Sequence, residues 1–327
     1  MLIKVPDYFE KFKCIAERCK DSCCIGWEIT VDEEARHKYT KDSSDICREI
    51  VEKTQHGCFP LENDGRCAFL DEKGLCRIIS TLGDGYLCDI CREHPRYYGI
   101  GKDGLEGGLG LGCEEAARLI LASGGKAGFE YTERESKYFS EDEYSDFSDS
   151  VREDIYKRLG ELGVSRLIRY LSEVAAEADE IVFDISSGLG KGELPPVEPK
   201  AADPSSVSKK LTSYLGILAE CEALSDGWKM LVEAAKCVDI NEIIKSEKEI
   251  KSLFFYFTHR YVRECVEDMS CGPRILFALF SALSTIAISK VINTDEPLVR
   301  AAVEFSKNIE YSTENVDMIL DELSEFL

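Results

Sequence analysis

Hydrophobic and polar positions follow two different patterns along the chain. Up to residue 125 the apolar runs are short, and turn signals such as "ENDG", "DEKG" and "GDG" break them repeatedly. "CEEAARLILA", from Cys113, is the exception: its apolar spacing suits a helix, with acids in the first turn. Beyond "SGGKAGFE" the spacing becomes helical, first in "ESKYFSEDEYSDFSDSVREDIYKRLGELG" and "VSRLIRYLSEVAAEA". The Gly-, Pro- and Ser-rich "SSGLGKGELPPVEPKAADPSS" then predicts a long loop near 183–206. Residues 206–327 predict four to six more helices, among them "SKKLTSYLGILAECEAL", "INEIIKSEKEIKSLFFYFTHRYVRECVED" and "PRILFALFSALSTIAISKVI". The apolar run 275–288 is too short to span a bilayer and predicts a buried helix. No repeat is visible and strand signals are few. The expected fold is mainly α: an irregular cysteine-rich metal-binding N-terminal domain, 1–125, followed by a helical domain, 126–327.

Composition narrows the partners. An apolar fraction of 44% suits a globular chain. The formal charge of -22 repels phosphate backbones, which argues against nucleic acid, and it makes a poor membrane-surface binder. The N-terminal "MLIKVPDYFEKFK" carries charges where a signal peptide needs an apolar run, so a cytoplasmic location is expected.

Cysteine changes the picture more. Of 15 cysteines, 11 lie between Cys14 and Cys113, while Cys221, Cys237, Cys265 and Cys271 are scattered and read as small core residues. In a reducing compartment such clustering points to metal or catalysis rather than disulfides. The groups are Cys14, Cys19, Cys23 and Cys24; Cys67 and Cys76; Cys88 and Cys91; and Cys113. Soft thiolates converging from several loops select iron–sulfur clusters or zinc. Adjacent Cys23 and Cys24 disfavour zinc, whose paired ligands usually leave two to four residues between them. Histidines at zinc-finger spacing are also missing: His37, His56, His94 and His259 are isolated.

Other motifs are weaker. "GIGKDGLEGGLGLG", 99–112, is glycine-rich but lacks the flanking strand and helix of a dinucleotide site, and reads as a hairpin. Cys19 and Cys23 supply CxxxC, but Gly26 stands where a radical S-adenosylmethionine motif needs its third cysteine. "FFYFTHRYVRE", 254–264, reads as a core helix with snorkelling arginines rather than an aromatic cleft for a methylated cation.

The ordered motifs "FKC…C…SCCIGWEITVD", "CAFLDEKGLCRI", "LGDGYLCDICREHPR" and "LGLGCEEAARLIL" together resemble the flagellin lysine-N-methylase family and the related cysteine-rich putative iron- or zinc-chelating domains. The resemblance covers about residues 5–122. It implies methyl transfer from S-adenosylmethionine to lysine ε-amines of flagellin or a similar surface protein, with a [4Fe–4S] cluster; zinc is the alternative metal. Carried over position by position, the ligands are Cys14, Cys19, Cys23, Cys24, Cys67, Cys76, Cys91 and Cys113, with Cys47, Cys58 and Cys88 as extras of this chain. Trp27 is expected to wall the site, and Arg96 to pair with a donor carboxylate or a cluster-side acid. No residue is assigned a catalytic role. The competing readings are a metal-binding or redox protein without methylase activity, and a noncatalytic scaffold with structural zinc.

Overall fold

The computed structural model describes residues 2–126, 128–134, 146–186, 194, 200–224, 226–264 and 270–327. The strands are β1 (Leu2–Pro6), β2 (Ile29–Thr30), β3 (Cys58–Phe59), β4 (Arg96–Gly101), β5 (Gly104–Leu109) and β6 (Phe129–Glu133). The early helices are α1 (Glu33–Lys41), α2 (Asp45–Lys53), α3 (Arg77–Leu82), α4 (Asp89–Glu93) and α5 (Glu114–Ala122). There follow α6 (Asp146–Glu161), α7 (Val164–Ser186), α8 (Pro204–Glu220), α9 (Asp226–Ala235) and α10 (Ile240–Ile244). The last are α11 (Glu247–Tyr261), α12 (Cys271–Ser289), α13 (Pro297–Phe305) and α14 (Thr313–Ser324). The class is mainly α.

Contacts divide the chain into two compact units, one of Lys13–Tyr97 with Cys113–Glu115, and one of Met1–Phe12, Tyr98–Gly112 and Ala116–Leu327. These units differ from the compositional boundary at 125. The first strand, the glycine-rich hairpin and most of α5 group with the late helices, because β1 finds its hydrogen-bond partners far along the chain.

The helical unit holds a four-stranded sheet of order β4-β5-β1-β6. Strand β1 pairs parallel with β5, Ile3 opposite Leu105, and antiparallel with β6 from Leu2↔Glu133 to Pro6↔Phe129. Ile3 and Val5 are fully buried, as a central strand requires. In the same unit α12 is buried along its whole length, so its apolar residues face neighbours on every side. Length and composition alone would let α12 cross a membrane, but its apolar window is 100% buried inside the protein. It packs chiefly on α7, α11 and α13. Its polar side chains find partners within the unit: Thr285 donates to the Ser281 carbonyl at 2.7 Å, Tyr214 Oη lies 2.7 Å from Ser281 Oγ, and Arg274 Nη1 donates to the Tyr261 carbonyl at 3.0 Å.

A buried ionic knot ties the sheet to α6. Glu106 on β5, 2% exposed, pairs with Arg152 at 2.7 Å and with Lys4 at 3.3 Å. Arg152 also pairs with Asp149. Burial pushes the Glu106 carboxyl up, but the cations around it outweigh that and hold it at about 2. Gly101 is glycine for a steric reason, since a Cβ there would run into the Glu106 side chain. His259 of α11 lies nearby, and burial lowers it to about 4. Its Nε2 therefore stays protonated as a neutral ring and donates to the Gly107 carbonyl at 3.0 Å.

The cysteine unit has a smaller interior, formed by Ile29, Val31, Tyr39, Ile46, Ile50, Phe59, Phe69 and Ile78 together with Cys47, Cys67 and Cys88. Its elements are short and pinned by polar groups. Asp32 caps α1 through Oδ1 to Ala35 N at 2.8 Å, and its Oδ2 accepts Asp89 N at 2.7 Å, fixing the start of α4. A bidentate pair of Arg77 with Glu49, at 3.1 and 2.7 Å, ties α3 to α2.

Several expectations are corrected here. The sheet was not legible as strand signal. The expected loop near 183–206 is helical at its start, since α7 runs to Ser186; residues 187–193 and 195–199 lie outside the described residues. The first charged helix begins at Asp146, its earlier part falling outside them, and Cys265 lies outside them too. Beyond residue 200 seven helices are described, against four to six expected. The expectation of a core helix at "FFYFTHRYVRE" holds, since Phe254, Phe255, Tyr256, Phe257 and His259 are all buried.

Candidate functional site

The thiols of the cysteine unit arrive on turns. From Cys67 the chain folds back over "DEKG": Asp71 Oδ1 accepts Lys73 N and Leu75 N at 2.8 Å each, and Gly74 takes φ +77°. Leu70 then bridges to Cys76, and Arg77 N donates to the Phe69 carbonyl at 2.8 Å, so Cys76 returns beside Cys67. Cys67 N donates to the Cys24 carbonyl at 2.8 Å, which brings the first cysteine loop to the second. Cys76 precedes α3 and Cys88 precedes α4, each at the N-cap, while Cys91 lies within α4.

Six sulfurs, those of Cys23, Cys24, Cys67, Cys76, Cys88 and Cys91, therefore share one neighbourhood in which each feels several others. Cys23 and Cys24 lie 3.8 Å apart. The hydrogen bond with Cys23, then burial, raises the Cys24 thiol. Burial also raises Cys67 and Cys76, opposed by backbone N–H groups of Phe69 and of Ile79 and Ile78 aimed at the sulfurs. The Cys91 thiol donates to Cys88 and lowers it, and is itself raised by that bond. Backbone N–H groups pointing at sulfur suit thiolates, which take them as charge-assisted acceptors.

A second, smaller group lies apart. Cys19 donates to Glu114 Oε2 at 3.3 Å, and the same oxygen accepts Lys20 N at 2.7 Å. Burial pushes the Cys19 thiol up to about 12, and Glu114 and Cys113 add to it. Cys113 directly precedes α5. Cys14 is exposed. Trp27 is half-buried; its Nε1 donates to the Cys23 carbonyl at 2.7 Å, and its ring lies 6.2 Å from that of His94. Arg96 opens β4 and is half-buried.

Among the described residues no group of three or more His, Cys, Asp or Glu side chains is arranged to hold a metal ion. The sulfurs share a neighbourhood, and the metal-binding character expected for this region is not shown by the structure. Burial contributes to raising Cys24, Cys67, Cys76 and Cys91, while Cys23 pairs with Cys24 and Cys91 with Cys88 by hydrogen bonds. Of the extras, Cys47 is core on α2 and Cys58 faces Thr30 at 3.8 Å, but Cys88 sits among the site thiols. The Cys88-x-x-Cys91 spacing is the sequence signal that would have included it.

The chain is 32% identical over 126 residues to the lysine-N-methylase of Salmonella typhimurium, a match covering 36% of this chain and 31% of the methylase. The lysine-N-methylase of Salmonella choleraesuis matches to the same extent. The flagellar biosynthetic protein FliU of Salmonella muenchen is also 32% identical over 126 residues, and 75% of its length is covered. The match thus takes in about a third of the length of the two methylases. No family model and no solved structure matches the chain. With that identity over three quarters of FliU, the chain belongs to the family of FliU and the lysine-N-methylases.

Proposed function

We propose that the protein is an S-adenosylmethionine-dependent lysine N-methylase acting on flagellin or a similar surface protein, with an iron–sulfur cluster held by cysteines of its N-terminal region. The observation that carries this reading is the 32% identity to two proteins named lysine-N-methylase and to FliU. The donor set supports it: six soft thiols share one neighbourhood, with backbone N–H groups directed at several of them. The chemistry of these donors fits a cluster, which would be held from Cys23, Cys24, Cys67, Cys76 and Cys91, with Cys88 beside them. Cys14, Cys19 and Cys113 belong to the proposed ligand set through the family motifs alone. When bound, a cluster of this kind supplies redox and soft Lewis-acid chemistry.

Methyl transfer to an amine is an in-line displacement at a sulfonium. A lysine of pKa about 10.4 has to lose its proton, line up and be shielded from water. In the proposed site Trp27 excludes water beside the first cysteine loop, its indole fixed by the bond to Cys23. Arg96 carries the fixed positive charge suited to a donor carboxylate.

The test is incubation of anaerobically prepared, metal-replete protein with flagellin from the same cell and isotope-labelled S-adenosylmethionine. Labelled lysines found by mass are expected. No transfer together with no donor binding would replace this reading by that of a metal-binding or redox protein, which the thiol neighbourhood supports by itself.

A further inference from the structure

The chain leaves α13 through a wide π-helical turn, Ser306–Glu310, a local form often found at functional sites. Its last residue, Glu310, has a side chain with 0% exposure. One carboxylate oxygen is crowded. Oε1 accepts Tyr256 Oη at 2.7 Å and Tyr261 Oη at 2.9 Å, with Arg260 Nε 3.5 Å away. Tyr256 Oη in turn accepts Arg260 Nη1 at 2.9 Å and the Leu111 amide at 3.3 Å.

The other oxygen is different. Oε2 is buried and, among the described residues, accepts no hydrogen bond. Leaving a buried carboxylate oxygen without a donor costs stability, while three donors compete for its neighbour. A glutamate kept only for packing would be expected to use both oxygens, so Oε2 is an acceptor held for something the fold does not supply.

We infer that Glu310 receives a primary alkylammonium group, the side chain of a lysine substrate, on Oε2. An anion is excluded by the carboxylate. A neutral hydroxyl would satisfy the oxygen but gain little from its charge or from the rings around it. Tyr261 packs edge-on against Phe277 at 4.8 Å and stacks on Phe257 at 6.3 Å, so the surroundings of the carboxylate are aromatic. The Arg260 guanidinium already lies 5.5 Å from the Tyr261 ring centroid, so this face attracts cations. Arg260, whose Nε lies 3.5 Å from Oε1, is itself 22% exposed. The assignment to lysine rests on the methylase reading; the open carboxylate oxygen does not.

The experiment titrates the full chain with n-butylammonium chloride by calorimetry, with n-butanol as the uncharged control. The wild type is expected to bind the ammonium and not the alcohol, and Glu310→Gln to weaken binding about tenfold or more. Tyr261→Phe removes one donor from Oε1 and leaves the charge less spent, so it is expected to tighten binding. That sign would not follow from a structural role, and it decides the matter if Glu310→Gln does not fold. Equal binding by wild type and Glu310→Gln, no binding by wild type, or looser or unchanged binding by Tyr261→Phe overturns the site. Flagellin methylation without ammonium binding would sink this site and keep the methylase; ammonium binding without methylation would do the reverse.

Discussion

Helix α12 and the turn from Cys67 to Cys76 both lie in protein interiors, but they are buried at very different cost. Every residue of α12 is buried, its polar groups find partners within the helical unit, and its core needs nothing further. The Cys67–Cys76 turn reaches its interior on short elements and fills it with thiols whose ionised forms burial penalises. One region is stabilised by apolar area. The other is arranged around groups whose charge the polypeptide does not neutralise, and loop-rich chain of this kind has little core with which to offset its conformational entropy.

The largest effect that would break this comparison is metal removal. Stripping the holo protein with a chelator is expected to open residues 13–97 to protease while the helical unit stays resistant, because metal binding is coupled to folding in small thiol-rich regions. Unchanged digestion of both regions would show that the cysteine unit holds itself together as the helical unit does.

A smaller effect sharpens the helical side. His259 takes up a proton at about 4 when folded and near 6.5 in the ordinary case. Between those values the unfolded chain binds more protons, so stability falls as pH drops from 6.5 toward 4, by about 3 kcal/mol in full. Glu106, held at about 2 against an ordinary 4.5, stabilises above 4.5 and adds a further loss as pH falls below that. His259→Gln keeps a donor for the Gly107 carbonyl and is expected to flatten the pH 7 to pH 5 difference in denaturation midpoint. An equal slope in wild type and variant would remove His259 from the account.

How much was legible depends on how local the cause was. Helix α12 was legible because nineteen consecutive residues carry its burial signal. Strand β1 was not: "LIKVP" is five residues with a lysine at its centre, and its pairing partner "FEYTE" is more than a hundred residues away. Cys88 was readable from its spacing to Cys91, since a CxxC step needs only one short turn. Its burial at the N-cap of α4 depends on Asp32, a contact across 57 residues. Glu310 was invisible for the same reason. Its partners Tyr256 and Tyr261 come from another helix, and nothing in "SKNIEY" marks a π-helical turn.

Metal and sulfide content per chain, measured after anaerobic purification, tests the central claim most directly. The claim is that the thiols of the N-terminal region form a metal site, whereas Cys221 and Cys271 of the helical unit are core; Cys237, against expectation, is exposed. Wild type and Cys221→Ser are expected to be brown and to hold iron and acid-labile sulfide alike. Cys24→Ser and Cys91→Ser are expected to lose them, because a hydroxyl replaces a soft thiolate poorly. Cys88→Ser is expected to lose part of the metal and Cys58→Ser none. Full metal content in both Cys24→Ser and Cys91→Ser, or a wild type that takes up neither iron nor zinc, would contradict the account and leave the cysteines as packing.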